Sequence, residues 1–312
     1  MTWLTIDLSA RLGLRYTPSE QDAKGRQPLL IGHEGFFRII GVGRMPASLD
    51  SIVAATRQRV SQRRKSADLG ALEKAAEQHC PRGFREHLRR FSQAGIAVIA
   101  ELKKASPSKG LIRTDFHPAG LARELTQAGA AALSVLTDEQ FFQGSLDYLR
   151  EASAATSLPC LRKDFIVDGS QIVEARAHAA DAILLIVAVL DQRELVTLSQ
   201  SARSHQLDVL CEAHDETELR RSLDAGCDLI GINSRDLRTF EVNLATLFRL
   251  AEKIPEGCVA VAESGIGSGA DLVQLRAAGY KAFLIGESLM KAKHPGEALT
   301  KLMEEARTGV VG

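Results

Sequence analysis

Asp224-Ala-Gly-Cys-Asp-Leu-Ile-Gly-Ile232 closes one element and opens another: a small residue, a glycine, then an apolar run. The same order recurs in Gln127-Ala-Gly-Ala-Ala-Ala-Leu-Ser-Val135 and in Ala277-Ala-Gly-Tyr-Lys-Ala-Phe-Leu-Ile285. A glycine just past a helix takes the left-handed conformation without penalty, and the short apolar run behind it reads as a buried strand. A further copy, His178-Ala-Ala-Asp-Ala-Ile-Leu-Leu-Ile186, carries Ala179 at the glycine position. That helix exit is expected to be strained or differently capped. A turn that returns in this way marks an internal repeat of helix and strand.

Outward from these turns, apolar runs give eight strands: Ala97–Leu102, Ala132–Leu136, Pro159–Leu161, Ala182–Val187, Val209–Cys211, Leu229–Ile232, Val259–Ala262 and Ala282–Ile285. Helical patterns begin near Pro118, Ser145, Ser170, Gln192, Glu216, Leu244, Gly269 and Pro295. Eight alternations, with strands apolar enough to be covered on both faces, predict an α/β fold of the (β/α)8 TIM barrel class, which needs about 250 residues. A doubly wound sheet is the alternative, but it usually has fewer strands. Before the first strand, Leu49, Ile52, Val53, Thr56 and Val60 recur at helical spacing, with Arg57, Arg59, Arg63, Arg64 and Lys65 on the remaining surface. This is an amphipathic helix whose basic face is expected to be solvated. A second helix is expected from Arg82 to about Phe91.

The chain has 312 residues, and 39 Lys plus Arg balance 39 Asp plus Glu, so no net field favours nucleic acid or an anionic membrane. Any anion must be bound locally. Five widely spaced cysteines without a CxxC pair fit neither a disulfide framework nor a zinc site, which points to a reducing cytosol and to no metal. The sequence shows neither a signal peptide nor a membrane-spanning run.

A barrel places its chemistry where strands end. The first strand ends in Glu101 and Lys103, the second in Thr137-Asp138-Glu139, the third in Arg162-Lys163-Asp164. The fourth ends apolar and offers Leu184 for a hydrophobic wall. The fifth ends in Glu212-Ala-His214, the sixth in Asn233-Ser-Arg235, the seventh in Glu263-Ser264-Gly265, and the eighth in Gly286-Glu287-Ser288. Charges at the ends of buried strands are costly to desolvate, and so many at one mouth point to chemistry. His214 is expected to cap its loop or to stand behind Glu212. The glycines after strands seven and eight suit a phosphate, which backbone N–H groups can approach closely there. Gly265-Ile-Gly-Ser-Gly269 has GxGxG spacing, not the GxGxxG of a dinucleotide loop.

Glu101-Leu-Lys-Lys-Ala-Ser-Pro-Ser-Lys-Gly110, Ser134-Val-Leu-Thr-Asp-Glu139 with Phe141-Phe-Gln-Gly-Ser145, Leu161-Arg-Lys-Asp-Phe-Ile166, Ile230-Gly-Ile-Asn-Ser-Arg-Asp-Leu237, Ala262-Glu-Ser-Gly-Ile266 and Leu284-Ile-Gly-Glu-Ser-Leu-Met290 closely resemble the indole-3-glycerol phosphate synthase family. The resemblance runs from about Ser48 to Met303. It implies that 1-(2-carboxyphenylamino)-1-deoxyribulose 5-phosphate is closed to indole-3-glycerol phosphate with loss of CO2 and water, in tryptophan biosynthesis, without cofactor or metal. It implies Lys163 as the acid for ring closure, with Glu101, Lys103 and Glu212 as candidates for the remaining proton transfers. Substrate contacts are implied for Ser106, Pro107, Phe142, Phe165, Leu184, Asn233, Arg235, Glu263 and Ser264, and phosphate contacts for Gly265, Gly286, Glu287 and Lys103. A lysine that donates protons near neutral pH is expected to have a tuned pKa.

The partner so implied is a small phosphorylated molecule; association with other enzymes of the pathway is left open. Two other readings are a phosphoribosylanthranilate isomerase-like barrel, which needs a cysteine/aspartate pair where Glu101 and Asn233 stand, and a phosphate-binding barrel without catalysis. Residues 1–45 lie outside the resemblance, while Met45-Pro-Ala-Ser-Leu-Asp-Ser-Ile-Val53 resembles a family N-terminus. The expected organisation is an extension over 1–45, arising from a start assigned too early, and one catalytic barrel over 46–312.

Overall fold

In a computed structural model, which describes residues 48–66 and 68–309, the eight predicted strands close into one parallel barrel. They are β1 (Ala97–Leu102), β2 (Ala132–Leu136), β3 (Cys160–Lys163), β4 (Ala182–Ile186), β5 (Asp208–Ala213), β6 (Leu229–Asn233), β7 (Val259–Glu263) and β8 (Ala282–Ile285). Each strand pairs with its neighbours in sequence, and β1 closes the ring by pairing with β8, Ala97 opposite Ala282. The expectations for residues 1–45 fall outside the described residues.

Alternation along each strand sorts side chains into two cores. Outward residues such as Val98, Leu133, Leu185 and Ile230 pack under the helices. Inward residues, among them Ile99, Leu161, Leu184, Leu210 and Val261, fill the barrel. One further step along the inward set reaches Glu101, Lys163, Glu212 and Glu263, so the pleat that fills the barrel also aims these groups into its mouth.

The third strand begins and ends later than the apolar run suggested, at Cys160 and Lys163 rather than Pro159 and Leu161. Arg162 can lie inside it because its charge is fully answered outside the barrel: Asp164 at 3.0 Å, Glu174 at 2.9 Å and the Gln171 carbonyl at 2.7 Å. Ala179 takes the left-handed conformation, φ +62°, as its place in the repeat requires. The sulfurs of Cys211, outward on β5, and Cys227, just before neighbouring β6, lie against one another across the strand pair.

Among the described residues three helices precede the barrel: α1 (Leu49–Ser66), α2 (Leu69–Glu77) and α3 (Phe84–Ala94). The second was not anticipated, although Asp68 caps it by accepting the Ala71 N–H at 3.0 Å. At the N-terminal end of the barrel α3 inserts Phe84 and Leu88, both fully buried. There Asp181 anchors the approach to α3, accepting from the Arg82 guanidinium and the Cys160 N–H.

At the opposite end, the basic face of α1 is not simply solvated. Arg59 pairs with Asp138 at 2.8 Å, Arg63 with Glu139 at 2.7 Å, Arg64 with Asp168 at 3.3 Å and Arg57 with Glu194 at 2.9 Å. The helix thereby straps the segments that follow β2, β3 and β4. Among the described residues no helix is long and apolar enough to cross a membrane.

Candidate active site

The C-terminal mouth of the barrel holds a cavity of about 490 Å³, and every site residue expected from the sequence lines it. Lys163 stands at its centre. The β3–β7 groups meet there: Lys163 Nζ lies 2.9 Å from Glu212 Oε2 and 2.8 Å from Glu263 Oε2. All three side chains are almost wholly buried. On β1, between β8 and β2, Glu101 Oε1 accepts from Lys103 Nζ at 2.6 Å.

Room for these carboxylates is made by glycines. A Cβ on Gly231 of β6 would land on the Glu263 carboxylate, and one on Gly286 would strike Glu101. Neighbouring strands thus yield volume so that two inward acids can lean toward the axis.

The two acids differ electrostatically although they share one ammonium. Burial opposes ionisation of Glu212, but the Lys163 charge and then His214 bring its pKa down to about 2. At Glu263, burial dominates; Lys163 offsets part of it and repulsion from Glu212 adds to it, so the carboxyl is pushed up to about 8. The directions part: burial and repulsion favour the neutral form of Glu263, while Lys163 and His214 favour the ionised form of Glu212. Burial alone would discharge Lys163, yet Glu212, Glu263 and Glu101 outweigh it and hold the amine above its ordinary value. The lysine is tuned upward, toward a permanent ammonium.

An apolar sector faces this cluster. Phe142 and Phe165 lie with ring centroids 6.3 Å apart, and Leu184 and Pro107 complete the wall. Phe142 is carried by a single helical turn (Glu139–Phe142), whose cap Asp138 accepts the Phe141 N–H at 2.6 Å. Asp138 is itself fully buried and held by Arg59. Ser106 belongs to a small hairpin, Ala105–Ser106 against Gly110–Leu111, that stands over the mouth after β1.

On the far side, Ser264 and Gly265 are both left-handed, φ +67° and +73°, and with Gly286 they line the cavity. Arg235 donates to the Phe240 carbonyl at 3.0 Å and lies 3.6 Å from Glu287, while Asn233 Oδ1 accepts the Arg235 N–H at 3.0 Å. The Glu287 carboxylate is occupied by Lys291 at 2.6 Å, which leaves only its backbone N–H for an anion. Leu237, Phe240 and Lys291 also line the cavity and were not anticipated. Lys291 was legible as the i+4 partner of Glu287 on the short helix Glu287–Lys291.

A family model described as indole-3-glycerol phosphate synthase matches residues 49–302. The chain belongs to this family. The indole-3-glycerol phosphate synthase of Koribacter versatilis (strain Ellin345) is 55% identical over 259 residues, covering 83% of this chain and all of that protein. The indole-3-glycerol phosphate synthase of Polaromonas naphthalenivorans (strain CJ2) is 49% identical, covering 82% of this chain and 98% of that one.

Solved structures more distant in sequence share the fold. A 3-hexulose-6-phosphate synthase matches with a TM-score of 0.54 at 13% identity, over 67% of this chain and 99% of that one. A thiamine phosphate pyrophosphorylase from Pyrococcus furiosus matches with a TM-score of 0.53 at 15% identity, over 71% and 100%. The indole-3-glycerol phosphate synthase model covers α1 and every strand of the barrel, so the strap and the mouth both belong to the matched region.

Proposed function

We propose that the chain converts 1-(2-carboxyphenylamino)-1-deoxyribulose 5-phosphate to indole-3-glycerol phosphate, CO2 and water, with Lys163 as the acid that starts the reaction. The observation that carries this reading is the buried ammonium of Lys163 between Glu212 and Glu263, facing an apolar wall on one side and left-handed loops on the other. The anthranilate ring lies against Phe142, Phe165, Leu184 and Pro107. The phosphate is held by backbone N–H groups of Gly265, Gly286 and Glu287, with Ser264 beside them and Lys103 supplying charge. Asn233 and Arg235 position the substrate carboxylate end.

Ring closure forms a bond from the aromatic carbon to the ketone carbon while the C=O π pair moves to oxygen, and Lys163 gives that oxygen its proton. The carboxylate then leaves as CO2, and its bonding pair restores the ring electrons. In the dehydration, Lys103 protonates the departing hydroxyl, and Glu212 takes a proton from the adjacent ring methylene carbon, whose C–H pair becomes the new C=C bond while the nitrogen keeps its hydrogen. Glu263, protonated below about pH 8, returns a proton to Lys163. Binding a phosphate alone would need none of this cluster.

The test is turnover of the purified chain on this substrate, followed by the indole chromophore, together with Lys163→Ala. Turnover in that variant should fall by about 10³-fold or more, while calorimetry still finds product bound through its phosphate. Absence of product with the unaltered chain refutes the activity; near-normal turnover in Lys163→Ala refutes the role of the lysine.

A further inference from the structure

The proton transfers above leave His214 unused, although it sits in the segment Glu212-Ala-His214 that leaves β5. A single carboxylate oxygen fixes it twice: Glu218 Oε2 accepts the His214 backbone N–H at 2.8 Å and lies 2.9 Å from Nδ1. Glu218 is in turn held in the first turn of the helix Glu216–Asp224, where the Asp215 side chain accepts its N–H at 2.8 Å. An ionised carboxylate only accepts, so Nδ1 carries hydrogen.

The other ring nitrogen, Nε2, is buried without a hydrogen-bond partner among the described residues and lies 3.5 Å from Glu212 Oε1. The second oxygen of Glu212 is the one that meets Lys163. Lys163 touches Glu212 and Glu263 at nearly the same distance and cannot by itself decide which of them keeps a proton. Nε2 of His214 stands against Glu212.

We propose that His214, fixed by Glu218, is a positioning residue that keeps Glu212 ionised and leaves the proton of the pair on Glu263. This rests on the reading of Lys163, Glu212 and Glu263 as the acid–base centre. The groups around the imidazole are Glu212 on β5 with Lys163 on β3 behind it, Glu263 on β7, Glu218 in the helix that follows β5, and Asp236 in the segment after β6. With Glu263 neutral, three carboxylates against one ammonium still favour an imidazolium, even though burial opposes it.

The experiment compares pH profiles of kcat for the full chain with His214→Gln and Glu218→Gln, and follows the His214 imidazole by NMR titration. In His214→Gln the neutral amide lets Glu212 compete for the proton, so the acid limb should move upward by about one pH unit, a loss of about tenfold on that limb that vanishes toward alkaline pH. Glu218→Gln should shift the limb in the same direction by less. The wild-type imidazole should titrate above the ordinary histidine value of about 6.5, and Glu218→Gln should lower it.

A profile in His214→Gln that only scales downward, with both limbs in place, overturns the proposal, as does an imidazole that is neutral at pH 7 in the wild type. An unaltered chain that turns over no substrate refutes the catalytic reading instead, and the NMR titration then decides the ionisation of His214 by itself.

Discussion

Replacing Gly231 with alanine puts a methyl group where β6 leaves room for Glu263. The new carbon would meet the Glu263 carboxylate and stand 3.2 Å from Leu210 Cδ1. Leu210 is fully buried in the close-packed barrel interior and has nowhere to retreat. Glu263 therefore turns aside, and its 2.8 Å contact with Lys163 is lost. A hydrogen bond to a charged group contributes about 1.5–3 kcal/mol. At about 1.4 kcal/mol per decade, kcat should fall by roughly 10- to 150-fold.

Lys163 keeps Glu212 at 2.9 Å, so Gly231→Ala should retain more turnover than Lys163→Ala. The phosphate-side loops are untouched, and KM should change by less than about threefold. Overpacking should also cost about 1–3 kcal/mol of stability, read as a lower urea midpoint. Steady-state kinetics and urea denaturation on one preparation check both numbers. A variant with wild-type kcat and an unchanged midpoint would show that the strand does not reserve this volume for Glu263.

Arg59→Ala removes the cation from fully buried Asp138, loosens the turn carrying Phe142, and should raise KM about tenfold; Arg63→Ala and Arg64→Ala, whose pairs are exposed, should stay within about twofold in the same assay. Ala179→Gly relieves a left-handed alanine and should stabilise the fold by about 0.5–1 kcal/mol, seen as a higher urea midpoint. Stability should also depend on pH through the two acids. The Glu263 carboxyl is raised from 4.5 to about 8, so its contribution is complete below 4.5 and is lost as pH climbs through 8. Glu212, lowered to about 2, contributes fully above 4.5 and loses its share as pH falls toward 2. Chemical denaturation across this range should give a maximum between the two losses, and a flat profile would contradict the split.

The repeat of helix, turn and apolar run carried the barrel, because a left-handed exit and a doubly covered strand each leave a local mark. Inward aim at the mouth was legible for the same reason: Ile99 and Glu101 are two residues apart, and so are Leu210 and Glu212. What escaped was set by distant partners. Arg162 looked like the end of a strand, since Asp164, Glu174 and the Gln171 carbonyl meet it only after folding. Most arginines of α1 are solvated as expected; what escaped is that they also pair, because Asp138, Glu139, Asp168 and Glu194 lie far along the chain. Glu263 was legible as a site residue, but its retained proton depends on Glu212 and Lys163 crowding it from other strands.

Gly286 yields its side-chain volume to Glu101 while lining the cavity with Ser264 and Gly265. In the proposed reading the residue that seats Glu101 also belongs to the grip on the phosphate. The barrel so read is a ruler: a substrate one carbon longer or shorter between its reacting carbon and its phosphate should satisfy one end only by abandoning the other.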